Sequence, residues 1–125
     1  MKKNAIILLI IIFSTSSCKD DDSVSMKLTN KSHYEISEVK LFVNVGVTNL
    51  LLLDSLDVGD VPTEGQISKT WLEKTLPKSD GGFYVRFKRN NYIVGKEFGY
   101  FSNGGLLDKQ YTITITDDEV TVSSK

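Results

Sequence analysis

Residues 83–88, FYVRFK, carry an apolar side chain at every second position. Phe83, Val85 and Phe87 share one face of an extended chain, because successive side chains of a strand point to opposite sides of a sheet. Residues 111–116, YTITIT, repeat the pattern, with apolar side chains on one face and threonines on the other. Alternation of period two predicts strands that bury one face of a sheet.

Similar strands are predicted on both sides of these two segments. Asn90-Asn91 predicts a tight turn after residues 83–88, since asparagine adopts positive φ at low cost. The other predicted strands cover residues 24–29, 39–45, 50–53, 67–76, 92–100 and 120–122. Short strands at this spacing predict an all-β fold, an antiparallel β-sandwich of immunoglobulin-like architecture with about seven to eight short strands. The Cys…Trp…Cys pattern of true immunoglobulin domains is absent, so the prediction concerns architecture alone.

Three segments of the predicted sandwich are less regular. Residues 50–53 are consecutive leucines, for which we expect a strand buried on both faces. Residues 54–60, DSLDVGD, are typical of a turn-rich loop, because Asp, Ser and Gly favour turns. Residues 67–76 fit either a helical turn or a twisted strand, and the neighbouring strands favour the strand.

The start of the chain has the pattern of an export signal. Lys2 and Lys3 precede nine apolar residues at positions 5–13, and small hydroxyl residues at positions 14–17 lead to Cys18. This order is typical of a secretory signal peptide. Nine helical residues rise only about 13–14 Å, against roughly 30 Å of hydrocarbon, so we do not expect a permanent transmembrane span here.

Ser16-Ser17-Cys18 resembles the lipobox of bacterial lipoproteins, and Lys19-Asp20-Asp21-Asp22 resembles the acidic run that sends lipoproteins of the Bacteroidota to the cell surface. The resemblance implies that Cys18 is acylated and that the protein is anchored by lipid in the outer membrane, facing outward. It divides the chain into a signal peptide (1–17), a lipidated cysteine with an acidic tether (18–23) and one sandwich domain (24–125). A free thiol or an intermolecular disulfide is the alternative for Cys18. Small surface lipoproteins of this kind are uncharacterised, so the resemblance carries no activity.

Composition excludes several classes of function. The chain has 15 Lys and Arg against 16 Asp and Glu, a formal net charge of −1, so it lacks the basic excess expected of a nucleic-acid-binding domain. One cysteine cannot form an internal disulfide. With a single histidine and no cysteine in the predicted domain, a zinc site of usual composition is excluded, and we expect no cofactor.

Catalytic pairs are equally hard to assemble from this sequence. His33 follows Ser32 directly in a polar turn, and adjacent residues are poorly placed to form a nucleophile and its base. Asp117, Asp118 and Glu119 crowd a predicted hairpin tip, where water keeps carboxylates in their ordinary state. We therefore predict no catalytic residues and no enzymatic activity.

One carboxylate set deserves comparison with calcium sites. Asp54, Asp57 and Asp60 recur at every third residue, which is not the alternate spacing of an EF-hand loop. Because aspartate is also a preferred turn residue, we interpret the set as turn residues and predict no metal site.

Aromatic residues beside cations supply the candidate binding face. Tyr, Trp and Arg dominate the energetics of protein interfaces, and aromatic rings also stack on sugars. The candidate residues are Trp71, Tyr84, Arg86, Lys88, Tyr92, Tyr100 and Phe101. Burial of Trp71 and most tyrosines in the core is the alternative.

We expect a non-catalytic binding or scaffolding module for a protein partner in the envelope. A carbohydrate-binding accessory lipoprotein is the alternative, which predicts coplanar exposed rings. A hydrolytic enzyme ranks third and would need a cleft with paired carboxylates.

Overall fold

The computed structural model describes residues 22–46 and 48–125, and within them the fold is all β. Nine strands are present in these residues: β1 (Ser23–Asn30), β2 (Ile36–Asn44), β3 (Leu52–Val61), β4 (Gln66–Leu72), β5 (Gly81–Arg89), β6 (Tyr92–Ser102), β7 (Gly105–Leu106), β8 (Gln110–Ile115) and β9 (Val120–Ser124). The extra strand relative to the prediction is β7, which has two residues. No helix in the described ranges is long and apolar enough to cross a membrane.

The strands form two sheets, as the predicted sandwich requires. The four-stranded sheet has the order β4-β1-β8-β9, and the five-stranded sheet has the order β3-β2-β5-β6-β7. One pairing departs from the antiparallel prediction, since β1 and β8 run parallel. Parallel neighbours need a long crossover connection, and here that connection contains the whole of the five-stranded sheet.

Phe83 occupies the centre of the core between the sheets. Its ring centroid lies 5.7–6.2 Å from those of Trp71, Phe98, Phe101 and Tyr111. All five side chains are buried. Tilted and edge-on contacts at these distances are the favoured arrangements of aromatic rings, so the cluster joins both sheets firmly.

The two ends of the sandwich are defined by β1, and we call them the near end and the far end. The near end contains Asp22, whose carbonyl accepts a hydrogen bond from the backbone N–H of Glu73 at 2.9 Å. The far end contains Asn30, whose Nδ2 donates to the carbonyl of Val61 at 3.0 Å and so joins the two sheets. At the same end the Arg89 guanidinium donates to the carbonyl of Thr116 at 2.6 Å.

The prediction for residues 50–60 was wrong in both parts. Leu50, Leu51 and Leu53 are 47%, 54% and 56% exposed rather than buried on two faces. The expected loop at 54–60 lies within β3 instead. Because β3 is the edge of its sheet and shifts register against β2, most of its side chains meet water.

The ambiguous segment at 67–76 is mainly a strand, as favoured. It belongs to β4 as far as Leu72, and a 3₁₀ turn follows at Glu73–Thr75. The Asn90-Asn91 turn is also confirmed, since both residues have positive φ, 49° and 64°.

Candidate functional site

The outer face of the five-stranded sheet carries three of the predicted binding residues. Val85 and Phe87 are buried, so Tyr84, Arg86 and Lys88, which alternate with them along β5, point outward. The alternation that decided the fold therefore also presents a tyrosine and two cations on one surface.

Phe42 joins this set from the neighbouring strand, and we call Phe42, Tyr84 and Arg86 the central cluster. Phe42 is the cross-strand partner of Tyr84, and their ring centroids are 6.4 Å apart with planes inclined at 51°. The Arg86 guanidinium carbon lies 4.9 Å from the centroid of the Phe42 ring, within the range of a cation–π contact. Phe42 lies between the buried Leu41 and Val43 in the sequence, which favours an outward side chain, but only the register of β2 against β5 shows which rings meet.

Tyr84 lies across Gly95 of β6. A Cβ added at Gly95 would come within 1.7 Å of the Tyr84 hydroxyl oxygen and 2.3 Å of its Cζ. Gly95 is the partner of Arg86 in the register, so the tyrosine ring extends diagonally over the adjacent strand. The glycine thus provides the space in which the ring rests on the sheet.

Charged side chains surround the central cluster. Lys88 Nζ lies 2.9 Å from Glu38 Oε1, an exposed ion pair that contributes little to stability. A depression of about 290 Å³ is lined by Glu38, Lys40, Arg86, Phe87, Lys88 and Ile93. Three of these six side chains are cations, so the depression favours an acidic group.

Two predicted members of the binding face are buried, and their assignment to that face was wrong. Trp71 is opposite Val24 on the inward side of the four-stranded sheet and is 4% exposed. Phe101 is fully buried because a bulge in β6, where Gly99 has a φ of 68°, changes the alternation between Phe98 and Phe101. A strictly alternating strand would have turned Phe101 outward.

The remaining two predicted rings are exposed but lie at opposite ends. Tyr92 follows the far-end turn between β5 and β6 and is 76% exposed. Tyr100 lies near the other end of β6, and neither ring touches the central cluster in a ring contact. The predicted face is therefore not one surface.

A second concavity of about 260 Å³ lies beside Tyr100, with Asp80, Asn44 and Glu97 in its lining. The N–H of Asn103 and the hydroxyls of Tyr100 and Ser102 donate hydrogen bonds to Asp80, and together they lower its pKa. Asp80 in turn raises the pKa of Tyr100, first because the phenol donates a hydrogen bond to it and so retains its proton, and then through burial of the phenol and the charge of the aspartate. These bonds hold the aspartate ionised and occupied rather than poised for acid catalysis.

Ser32 and His33, in the polar turn after β1, do not form a nucleophile–base pair. The hydroxyl of Ser32 is buried and bonds to Asn30 Oδ1 at 2.7 Å and to the carbonyl of Tyr34 at 2.9 Å. His33 points away from it to Asp117, with 2.5 Å between Nδ1 and Oδ2. Pairing of Asp117 with His33 was not part of the sequence prediction, which treated both as solvated turn residues.

The calcium site considered for Asp54, Asp57 and Asp60 gains no support from the geometry. Asp54 Oδ1 accepts the N–H of Ser55 and Asp60 Oδ1 accepts the N–H of Glu38, both in or beside β3. Across residues 22–46 and 48–125, no group of three or more His, Cys, Asp or Glu side chains could hold a metal ion.

The residues of the predicted export signal lie mostly outside the described part of the chain. Cys18, Lys19, Asp20 and Asp21 lie outside the described residues, and Asp22 is the first residue inside them. Asp22 is exposed, and its carboxylate lies 3.4 Å from Lys109 Nζ.

Comparison with known proteins identifies a fold but no family. No protein-family model matches the chain, and no curated protein matches it. An NMR structure of a protein from Eubacterium rectale is similar, with 15% identity and a TM-score of 0.54 over 85% of this chain and 91% of that one. A crystal structure of a proposed cell adhesion protein from Bacteroides ovatus has 11% identity and a TM-score of 0.46; the match covers 83% of this chain and 44% of that one. At these identities the first similarity indicates a shared sandwich fold alone.

Proposed function

We propose that this chain is a lipid-anchored envelope protein whose β-sandwich binds a protein partner and performs no catalysis. The central cluster of Phe42, Tyr84 and Arg86 is the observation that carries the proposal. Aromatic and arginine side chains at the centre of a surface, with other charges around them, are the composition of interface hot spots.

The anchor in this proposal is Cys18. Its resemblance to a lipobox cysteine, and the acidic run at positions 19–22, support acylation and display on the outer surface of the outer membrane. At least two acyl chains give stable attachment where one is marginal.

The partner surface should carry acidic and apolar groups. The cations Lys40, Arg86 and Lys88 border the depression beside the central cluster and favour carboxylates on the partner. A glycan is less well matched, because the Phe42 and Tyr84 rings are inclined at 51° and do not form a flat platform.

Metabolic labelling tests the anchor. Cells that express the full chain are grown with a clickable palmitate analogue, and we expect label on the wild-type protein and none on a Cys18→Ser variant. Equal labelling of both proteins, or of neither, would contradict acylation at Cys18.

A charge-reversal pair tests the binding face. The full chain is captured from detergent-solubilised envelopes, and co-purified proteins are identified by mass spectrometry. We expect a partner with wild type and with Lys27→Glu, which lies on the outer face of the four-stranded sheet, but not with Arg86→Glu. Recovery unaffected by Arg86→Glu, or no partner at all, would count against binding at the central cluster.

A further inference from the structure

The exposed leucines of the described residues all belong to one end of the sandwich, the near end. They are Leu50, Leu51, Leu53, Leu72 and Leu107, with exposures between 37% and 61%, and we call them the leucine set. Tyr34, Tyr92 and Ile93 are exposed at the far end, so exposure alone does not distinguish the two ends; what distinguishes the near end is that all five exposed leucines lie there, beside the tether.

Strand register places the leucine set at the near end. Leu72 is the partner of Ser23, the first residue of β1. In the five-stranded sheet, Leu52 lies between the exposed Leu51 and Leu53 and is the partner of Asn44 at the end of β2. Asn44 also pairs with Gly82 at the start of β5. Leu107 precedes β8, whose first residue Gln110 pairs with Ser25 near the start of β1. Both sheets therefore contribute leucines to the same end.

The tether leaves the sandwich at this same end. The Asp22 carbonyl binds the N–H of Glu73, and the Asp22 carboxylate lies 3.4 Å from Lys109 Nζ. Four residues along the chain separate Asp22 from Cys18, a distance of at most about 14 Å even when fully extended. A domain held by so short a tether keeps the tethered end next to the membrane.

We infer that the near end of the sandwich rests on the lipid bilayer, with the leucine set in the headgroup region. This inference rests on the proposed acylation of Cys18. Leucine side chains enter the boundary between headgroups and acyl chains favourably, and lysine stems extend along it with their ammonium groups at the phosphates. Lys74, Lys78, Lys109 and Lys125 lie at or beside this end and are exposed.

Apolar contact rather than charge should supply most of the attraction. Lys109 Nζ is already close to two carboxylates, at 3.4 Å from Asp22 and 3.8 Å from Glu73. The leucine set, by contrast, does not belong to the hydrophobic core of the described residues. The strands then rise from the bilayer, and the far end with Tyr92 and the Asp117 turn points away from it.

Site-directed labelling tests the contact. The acylated full chain is placed in vesicles of phosphatidylethanolamine and phosphatidylglycerol that contain no other protein. Variants with one introduced cysteine, Leu51→Cys and Leu107→Cys, carry an environment-sensitive fluorophore, and Thr63→Cys at the far end is the matched control. Acylation blocks the Cys18 thiol, so only the introduced cysteine is labelled.

Quenching by nitroxide lipids is the measurement. We expect quenching at positions 51 and 107 to exceed that at position 63 by at least about twofold, with a blue-shifted emission at the first two. Equal quenching at all three positions, or emission typical of water at 51 and 107, would overturn the inference.

Vesicle flotation separates failure of this inference from failure of the anchor. If the wild-type chain does not float with vesicles and Cys18 takes up the fluorophore, the acylation proposal fails and the membrane contact fails with it. If the chain floats, Cys18→Ser does not, and labels at 51 and 107 remain in water, only the membrane contact is wrong.

Discussion

The carboxylate of Asp117 accepts two hydrogen bonds from His33, one from the backbone N–H at 2.7 Å and one from Nδ1 at 2.5 Å. The two residues are 84 positions apart, and their contact fastens the turn after β1 to the turn after β8. The hydrogen bond to the carboxylate and its charge raise the pKa of His33. The hydrogen bonds from His33 lower the pKa of Asp117.

The His33–Asp117 pair predicts a pH window of stability. A raised histidine pKa contributes stability that is full below the ordinary value of 6.5 and is lost as pH rises through the folded-state pKa. A lowered aspartate pKa contributes stability that is present above the ordinary value of 3.8 and is lost as pH falls through the folded-state pKa. The contribution is therefore largest between pH 3.8 and 6.5, and it is small because the pair is exposed.

NMR titration of the sole histidine measures this directly. We expect a His33 pKa above 6.5 in the wild type and a lower one in Asp117→Asn. An unchanged His33 pKa in Asp117→Asn would show that the contact does not persist in solution.

Asn30 predicts the largest loss from a polar substitution. Its buried side chain donates to the carbonyls of Tyr34 and Val61 and accepts from the N–H and hydroxyl of Ser32, so all four hydrogen-bonding positions are used. We expect Asn30→Ala to lower the free energy of unfolding by about 2–4 kcal/mol, because it leaves buried partners unsatisfied. Urea denaturation measures the loss, with exposed Gln66→Ala as a control that should stay within about 0.5 kcal/mol of wild type. Similar losses of unfolding free energy in both variants would contradict the prediction that the buried hydrogen bonds of Asn30 stabilise the fold.

Two glycines of β6 should respond differently to alanine. Gly99 has a φ of 68°, and an added Cβ would lie 2.7 Å from the buried Tyr111 ring, so we expect Gly99→Ala to cost about 1–3 kcal/mol. Gly95→Ala meets only the end of the Tyr84 side chain, which can rotate away, so its cost should be smaller, under about 1 kcal/mol. Thermal unfolding of both variants compares them, and the reverse order would contradict the packing described for the bulge.

Phe83 should be the most costly aromatic to truncate. It contacts four other rings, so Phe83→Ala should lose about 3–5 kcal/mol and should change the fluorescence of Trp71, the chain's single tryptophan, 6.2 Å away. Tyr92→Ala, at an exposed tip, serves as the control and should leave both quantities nearly unchanged. Unfolding in urea followed by tryptophan emission measures both effects at once.

Alternation of apolar and polar residues predicted the strands that have one buried face and one solvent-exposed face. Phe83, Val85 and Phe87 are buried as expected, and so are Tyr111, Ile113 and Ile115. A continuous apolar run has no such internal contrast, so residues 50–53 gave no sign of which side meets water. Their exposure follows from the position of β3 at a sheet edge, which depends on the whole topology.

The candidate site was only partly accessible from sequence for a related reason. Tyr84 and Arg86 follow from local alternation, whereas the contribution of Phe42 depends on the register of β2 against β5. The burial of Phe101 depends on a bulge at Gly99. A glycine in a strand can mark a bulge, a bend or a close contact, so Gly99 alone did not predict that bulge. The His33–Asp117 contact joins distant turns that no short motif connects.

The position of β1 in the middle of its sheet has a mechanical consequence. β1 is paired with β4 on one side and β8 on the other, and its first residue follows Asp22 directly. A force that pulls a bound partner away from an anchored chain would enter at Asp22 and act along the axis of β1. Interstrand hydrogen bonds lie across that axis, so the bonds on both sides of β1 would share the load together in shear rather than open one after another. Among the strands of this sandwich, the one next to the tether is thus well suited to bear tension.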